Sequence, residues 1–177
     1  MDSRKTVELR SAVCVVRTHR PDDAASLAHH GNNRRIWENL RDRFPHPYTE
    51  ADAAAYIAYN LQAADQTSFA IDVNGEAIGG ISLRPGTDIE RISAEMGYWL
   101  GESYWGRGIA TAAIRLITGY AFNTRRLERV FAVPYVHNIA SCRALEKVGY
   151  VREGTMRRSA LKDGRVLDQY MYAKVRG

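Results

Sequence analysis

Tyr104-Trp105-Gly106-Arg107-Gly108-Ile109-Ala110-Thr111 lies where one hydrophobic periodicity gives way to another. Upstream, Ile92, Ala94, Met96, Tyr98 and Leu100 recur at period two, which marks one face of a strand. Downstream, Ile109, Ala112, Ala113, Leu116, Ile117 and Tyr120 recur at helical spacing. Two glycines flanking an arginine join the patterns, and glycine adopts positive φ without a Cβ penalty. The first amides of the helix that follows have no intrahelical partner and sit at the positive end of its dipole. A strand, a glycine turn and a helix start make a phosphate cradle, although an ordinary tight strand-to-helix turn fits this stretch equally well.

The chain of 177 residues, 45% hydrophobic and 25% charged, suits one domain over residues 1–177 with a sizeable core. A formal charge of +5 favours phosphates or acidic partners. The basic residues are scattered in pairs such as Arg34-Arg35, Arg125-Arg126 and Arg157-Arg158, so no nucleic-acid partner is expected. Cys14 and Cys142 are the only cysteines, neither in metal-ligand spacing, which fits a reducing compartment. No apolar run follows Met1–Lys5 and no stretch is long enough to span a bilayer, so a cytoplasmic protein without a membrane partner is expected. His19, His29, His30, His46 and His137 form no HExxH-type pair, and no metal is expected.

The remaining segments alternate between strand and helix patterns. A first strand is read near residues 10–18, through Ala12 to Val16. Pro21 with Asp22 and Asp23 starts a helix, followed by a short helix or pair through Trp37 and Leu40, broken at Gly31-Asn32-Asn33. Two prolines make Arg43 to Tyr48 a loop. Thr49 caps a helix that carries Glu50 and Asp52 in its first turn and Tyr56, Ile57, Asn60 and Leu61 on its inward face. Phe69, Ile71 and Val73 lead into Asn74-Gly75, a two-residue hairpin signal, and return through Ile78, Ile81 and Leu83 to Pro85-Gly86. Val130 to Val136 reads as a strand laid by a right-handed crossover beside the one ending at Leu100, with Pro134 unable to donate to a ladder. Asn138 to Lys147 is a short helix closed by Gly149, and Asp163-Gly164 marks a last hairpin. In that short helix Asn138 caps and Leu145 and Val148 face the core, which leaves Ser141 unexplained on the first turn, able to reach into a cleft.

Trp105-Gly106-Arg107-Gly108-Ile109-Ala110 and Asn138-Ile139-Ala140-Ser141 through Leu145-Glu146-Lys147-Val148-Gly149-Tyr150 together resemble the two acetyl-CoA motifs of the GNAT acyltransferases. Pro47-Tyr48-Thr49-Glu50, Ala94-Glu95-Met96-Gly97-Tyr98-Trp99-Leu100 and the Asp163-Gly164 hairpin with Asp168 are similar to the subgroup that acetylates N-termini of ribosomal proteins. Trp105 stands where the wider superfamily often has glutamine or arginine, and an aromatic there is common in that subgroup. A lysine followed by serine or threonine does not end the loop, so a nucleoside-triphosphate site is excluded.

The resemblance implies one α/β GNAT-like domain. Its mixed, mostly antiparallel sheet is splayed between two parallel central strands and has helices on both faces; Pro134 suits the splay. It implies acetyl-CoA, with pantetheine on the backbone of Tyr98, Trp99 and Leu100 and pyrophosphate on Gly106, Arg107, Gly108, Ile109, Ala110 and Thr111. An amide near Tyr98 stabilises a developing oxyanion, and Asn138 holds the pantetheine arm or a water beside the sulfur. Glu95 takes the amine proton directly or through water, with its pKa raised by partial burial; the alternative is a solvated strand residue beside Ser93. Ser141 hydrogen-bonds the departing sulfur, Tyr150 packs, and Cys142 lacks a partnered histidine and faces the core. Trp37 and Tyr48 line the acceptor site. The favoured acceptor is a ribosomal-protein or other peptide N-terminus. A small amine (polyamine, amino acid or aminoglycoside) and a non-catalytic acyl-CoA-binding regulator are the alternatives, and related proteins are commonly homodimers.

Overall fold

A computed structural model describes residues 6–177; Met1–Lys5 lie outside the described residues. The strands β1 (Glu8–Arg10), β2 (Val15–Arg17), β3 (Ser68–Val73), β4 (Glu76–Pro85), β5 (Ser93–Leu100), β6 (Arg129–Ala132), β7 (Val151–Lys162) and β8 (Arg165–Val175) form one sheet ordered β1-β2-β3-β4-β5-β6-β8-β7. Every neighbouring pair is antiparallel except β5 and β6, which run parallel. Asn74 at φ 55° and Gly75 at φ 89° make the β3–β4 turn, as the residue pair requires.

Helices cover both faces. On one lie α1 (Ala24–Gly31) and α3 (Glu50–Gln62), whose Leu27, Ala53 and Ile57 pack with Ala70, Ala77 and the half-buried Trp99. On the other lie α4 (Ile109–Asn123) and α5 (Ile139–Lys147), whose Ala113, Ile114, Ile117 and Leu145 pack with Phe69, Ile71, Ala94 and Met96. Phe69, Ala70 and Ile71 divide between the two cores because successive strand residues point to opposite faces. A four-residue helix, α2 (Arg34–Trp37), stands at the mouth of the first face.

Four details differ from the sequence pattern. The strand read over residues 10–18 is two strands, because the Ser11 hydroxyl accepts from the Cys14 amide at 3.0 Å and donates to its carbonyl at 2.9 Å, closing a turn. Ile92 lies outside the buried face of β5: it precedes the strand and is exposed, while its carbonyl accepts from the amides of Glu128 and Arg129. Tyr56 leaves the inward stripe of α3, which follows Ala53, Ile57 and Asn60, and its hydroxyl reaches the Ser68 hydroxyl at 2.6 Å instead. The strand read over 130–136 stops at Ala132, ahead of Pro134, which has no N–H to offer.

That early stop shapes the molecule. The β5–β6 ladder consists of Ser93↔Arg129, Ala94↔Val130 and Glu95↔Phe131, so Met96 to Leu100 keep β4 on one side and have no ladder partner on the other. The chain past Ala132 turns to β8, where Tyr170 donates to the Pro134 carbonyl at 2.9 Å and the Gln169 amide to the Val133 carbonyl at 2.9 Å. A gap opens between two strands that begin side by side.

Buried polar groups pin the first face. Arg17, 3% exposed, donates to Asp23 at 2.7 and 2.8 Å and to Asp72 at 2.8 Å, tying β2 to β3 and to the turn before α1. Burial opposes ionisation of Asp23, but the bonds from Arg17 and the Arg20 amide prevail and hold its carboxyl below the usual range. Beside them His19 is 4% exposed, with Nε2 3.3 Å from the Ser68 hydroxyl and Nδ1 buried without a partner.

Candidate active site

The open edge of β5 can be assigned from the bonds at its ends. The Ser93 carbonyl accepts from Gly86 on the β4 side, and the Ile92 carbonyl accepts from the β6 side. Alternation along the strand therefore turns the peptide groups of Met96, Tyr98 and Leu100 toward the gap and those of Gly97 and Trp99 toward β4. Of the three residues expected to meet a pantetheine arm, Tyr98 presents its backbone to the gap. Leu100 does too, but its carbonyl accepts from the Trp105 indole at 2.7 Å. Trp99 sends its indole to the opposite face, edge-on to Phe44 at 5.5 Å and to Tyr48 at 6.4 Å.

The glycine loop leads from the end of this edge into α4. Gly106 takes φ 74° and Gly108 φ 76°, the left-handed region that a β-branched residue avoids. The Ala112 amide donates to the Gly108 carbonyl at 3.0 Å, so the amides of Ile109, Ala110 and Thr111 precede the first helical bond. A Cβ placed on either glycine meets nothing within 4 Å, which leaves the cradle open. Beside it a cavity of about 340 Å³ is lined by Gly108, Thr111, Arg107, Arg115 and Lys147 among others. Arg107 lies 5.3 Å over the Tyr104 ring. None of these three cations has an acidic partner within the described residues. Arg115 and Lys147 escaped the sequence reading. The available signal was helical spacing, which stacks Arg115 one turn beyond Thr111.

Across the gap, Asn138 caps α5 by accepting from the Ser141 amide at 3.2 Å. The Ser141 hydroxyl lies 2.5 Å from the hydroxyl of Tyr98. Sequence reasoning valued Tyr98 for its backbone and missed this side chain. Burial pushes its phenol well above the ordinary range, the Ser141 bond opposing in part, so Tyr98 stays protonated and either hydroxyl of the pair can be the donor. Tyr150 is buried and bonded to the Thr118 hydroxyl at 2.7 Å, while Cys142 is buried in the core under α5.

Glu95 stands where the β5–β6 ladder ends, its side chain 14% exposed. One carboxylate oxygen accepts from Arg84, its cross-strand neighbour on β4, and the other from Arg41, in the loop after α2. Its setting is thus a pair of guanidiniums rather than an apolar pocket. Nearby, Lys162 is 1% exposed, donates to Asp42 at 2.8 Å and sits 3.7 Å over the Trp37 ring. Arg34 bonds Asp163 at 2.5 Å, so the tip of the β7–β8 hairpin is clasped to α2. Trp37 is therefore a half-buried platform under cations. Tyr48 is buried and stacked on Phe44 at 4.3 Å, within the core of the α1–α3 face. Among the described residues no helix is long and apolar enough to cross a membrane.

Residues 14–151 match the family described as "Acetyltransferase (GNAT) domain". Over 110 residues the chain is 31% identical to "Uncharacterized N-acetyltransferase p20" of Bacillus licheniformis, covering 62% of this chain and 61% of that one, under two thirds of the relative's own length. Over 128 residues it is 33% identical to "Uncharacterized N-acetyltransferase YnaD" of Bacillus subtilis (strain 168), covering 71% of this chain and 74% of that one. The solved structure "Mycobacterium smegmatis RimJ in complex with CoA-disulfide" superposes with a TM-score of 0.80 at 26% identity, covering 96% of this chain and 86% of the other.

Proposed function

Because the chain belongs to the GNAT acetyltransferase family, we propose that it moves the acetyl group of acetyl-CoA directly to a primary amine, with a ribosomal-protein or other peptide N-terminus as the favoured acceptor. The observation that carries this reading is the open edge of β5 beside Ala132, running into a glycine loop and a cavity with three cations that have no acidic partner among the described residues. A cofactor with an amide-bearing arm and a phosphate-rich end needs a free backbone edge and an anion cradle in that order. The N-acetyltransferase names of the two relatives support acetyl transfer, and the coenzyme-bound RimJ structure supports the cofactor class.

Acetyl-CoA supplies an activated thioester carbonyl and a thiolate leaving group. Gly106 to Thr111 offer amides to its phosphates, and Arg107, Arg115 and Lys147 add charge. The Tyr98 amide, on the gap side, donates to an oxygen that develops negative charge. Asn138 fixes the first turn of α5 and with it Ser141. With Tyr98 donating to the Ser141 oxygen, the serine proton is free to point at the departing sulfur. Glu95 accepts the amine proton once a carboxylate oxygen is released from a guanidinium. Trp37 lines the acceptor side, and Tyr48 supports that wall from behind through Phe44 and Trp99.

The segments containing Tyr48 and Glu95, similar to the ribosomal N-terminal subgroup, favour a peptide acceptor. Thiol release from acetyl-CoA with a panel of peptides tests the proposal. Glu95→Gln should lower kcat about a hundredfold, the scale of a lost general base, with acetyl-CoA affinity little changed. Unchanged turnover removes Glu95 from the role. Bound acetyl-CoA with no release on any peptide or amine supports the regulator instead.

A further inference from the structure

We propose that the acceptor carries a carboxylate close to its amine, and that Arg41 and Arg84 bind this carboxylate as they release Glu95. The inference rests on the reading of Glu95 as the proton acceptor and names the substrate class of that site.

The two arginines stand in front of the base. Glu95 is 14% exposed on its side chain, whereas Arg41 and Arg84 are 52% and 50% exposed, so an incoming amine meets guanidinium before carboxylate. Each arginine donates to a different oxygen of Glu95, so both carboxylate oxygens are already occupied by guanidinium donors. A guanidinium has five N–H donors, so each arginine retains donors able to hold a second anion, and a carboxylate suits them in bidentate fashion. The nearest alternative anion in sequence, Asp42, is held by Lys162 at 2.8 Å.

Charge counting selects the acceptor. Two guanidiniums and one carboxylate leave this corner with a net charge of one positive (2 − 1 = 1). A simple ammonium would raise it further, and a polyamine or aminoglycoside more so. An ammonium with its own carboxylate adds nothing. When that carboxylate takes over guanidinium donors, a Glu95 oxygen is freed next to the amine it must deprotonate. The arginines act as specificity and positioning residues, uncovering the base for an acceptor that can replace Glu95 as their partner. The carboxylate is the free α-carboxylate of an amino acid or an acidic side chain at the start of a peptide.

The experiment uses the full chain saturated with coenzyme A for calorimetric binding and with acetyl-CoA for turnover. The acceptors are matched pairs: an amino acid and its carboxamide, and a short peptide amide with aspartate or asparagine after the first residue. The acid member of at least one pair should bind and turn over about tenfold better than its neutral twin, and which pair responds identifies the carboxylate's source. In the Arg41→Gln, Arg84→Gln double variant, KM for the acid should rise until the preference vanishes, so that kcat/KM falls further for the acid than for its neutral twin. A merely structural role would depress both twins alike, and Arg41→Lys, which keeps the charge, should retain part of the preference. Turnover without acid preference overturns the inference and leaves acetyl transfer standing. Acid-selective binding without turnover supports the anion site and overturns transfer. Absence of acid binding in both pairs overturns the inference.

Discussion

Substituting His19 by glutamine should flatten the acid limb of the stability curve. Burial, the largest influence, lowers the His19 pKa to about 4; the Arg17 cation adds to this and Asp23 offsets part of it. Nδ1 has no partner in the core, so the folded protein offers nothing to a proton there. In the unfolded chain the imidazole titrates near about 6.5. Between those values the unfolded state binds more protons than the folded one, so stability falls as pH drops from about 6.5 to about 4 and no further on this account. At about 1.4 kcal/mol per pKa unit the interval is worth about 3 kcal/mol. Urea unfolding of the wild type and His19→Gln across this range isolates the effect, because carboxylates such as Asp23 titrate in both. The wild type should lose about 3 kcal/mol more than the variant between about pH 7 and about pH 4. Parallel curves would refute a neutral, buried His19.

Two functional predictions follow from the geometry of the gap. Tyr98→Phe removes the donor behind Ser141 and should lower kcat about tenfold, the scale of one hydrogen bond, while the Kd for acetyl-CoA stays near that of the wild type; unchanged kcat would sever the Tyr98–Ser141 pair from the chemistry. Arg115→Ala with Lys147→Ala should weaken acetyl-CoA about tenfold at low salt and reduce the salt dependence of its Kd. An unaltered salt slope in calorimetric titration would mean that these cations do not face the phosphates.

What was legible in the sequence is mostly local. Asn74-Gly75, the Thr49–Asp52 capping box, Asn138 and the two glycines of the loop each act within a few residues of themselves, and each adopts the conformation its chemistry demands. Pro134 announced a failed ladder: its carbonyl still accepts from Tyr170 on β8, but it has no N–H to return, and the strand stops at Ala132, short of the hydrophobic run. The pairing of Glu95 with Arg41 and Arg84 was hidden: Arg41 lies 54 positions away in a loop without periodicity, and Arg84 becomes a neighbour only through the β4–β5 register. Lys162 reads as a surface lysine on an alternating strand, yet it is buried because Trp37 and Asp42 fold over it. Tyr98 showed its place in the strand but not its bond to Ser141, 43 positions on.

The central claim is that the gap beside β5 and the glycine loop hold acetyl-CoA. Titration of acetyl-CoA into the wild-type protein by calorimetry, beside Gly108→Val, tests it most directly. Gly108 sits at φ 76° with open space where a side chain would project, so valine there distorts and fills the cradle. Saturable binding by the wild type, a melting temperature that rises with ligand by mass action, and marked weakening in a Gly108→Val protein that still folds are the results expected. No heat and no melting shift at millimolar acetyl-CoA in the wild type would contradict the account.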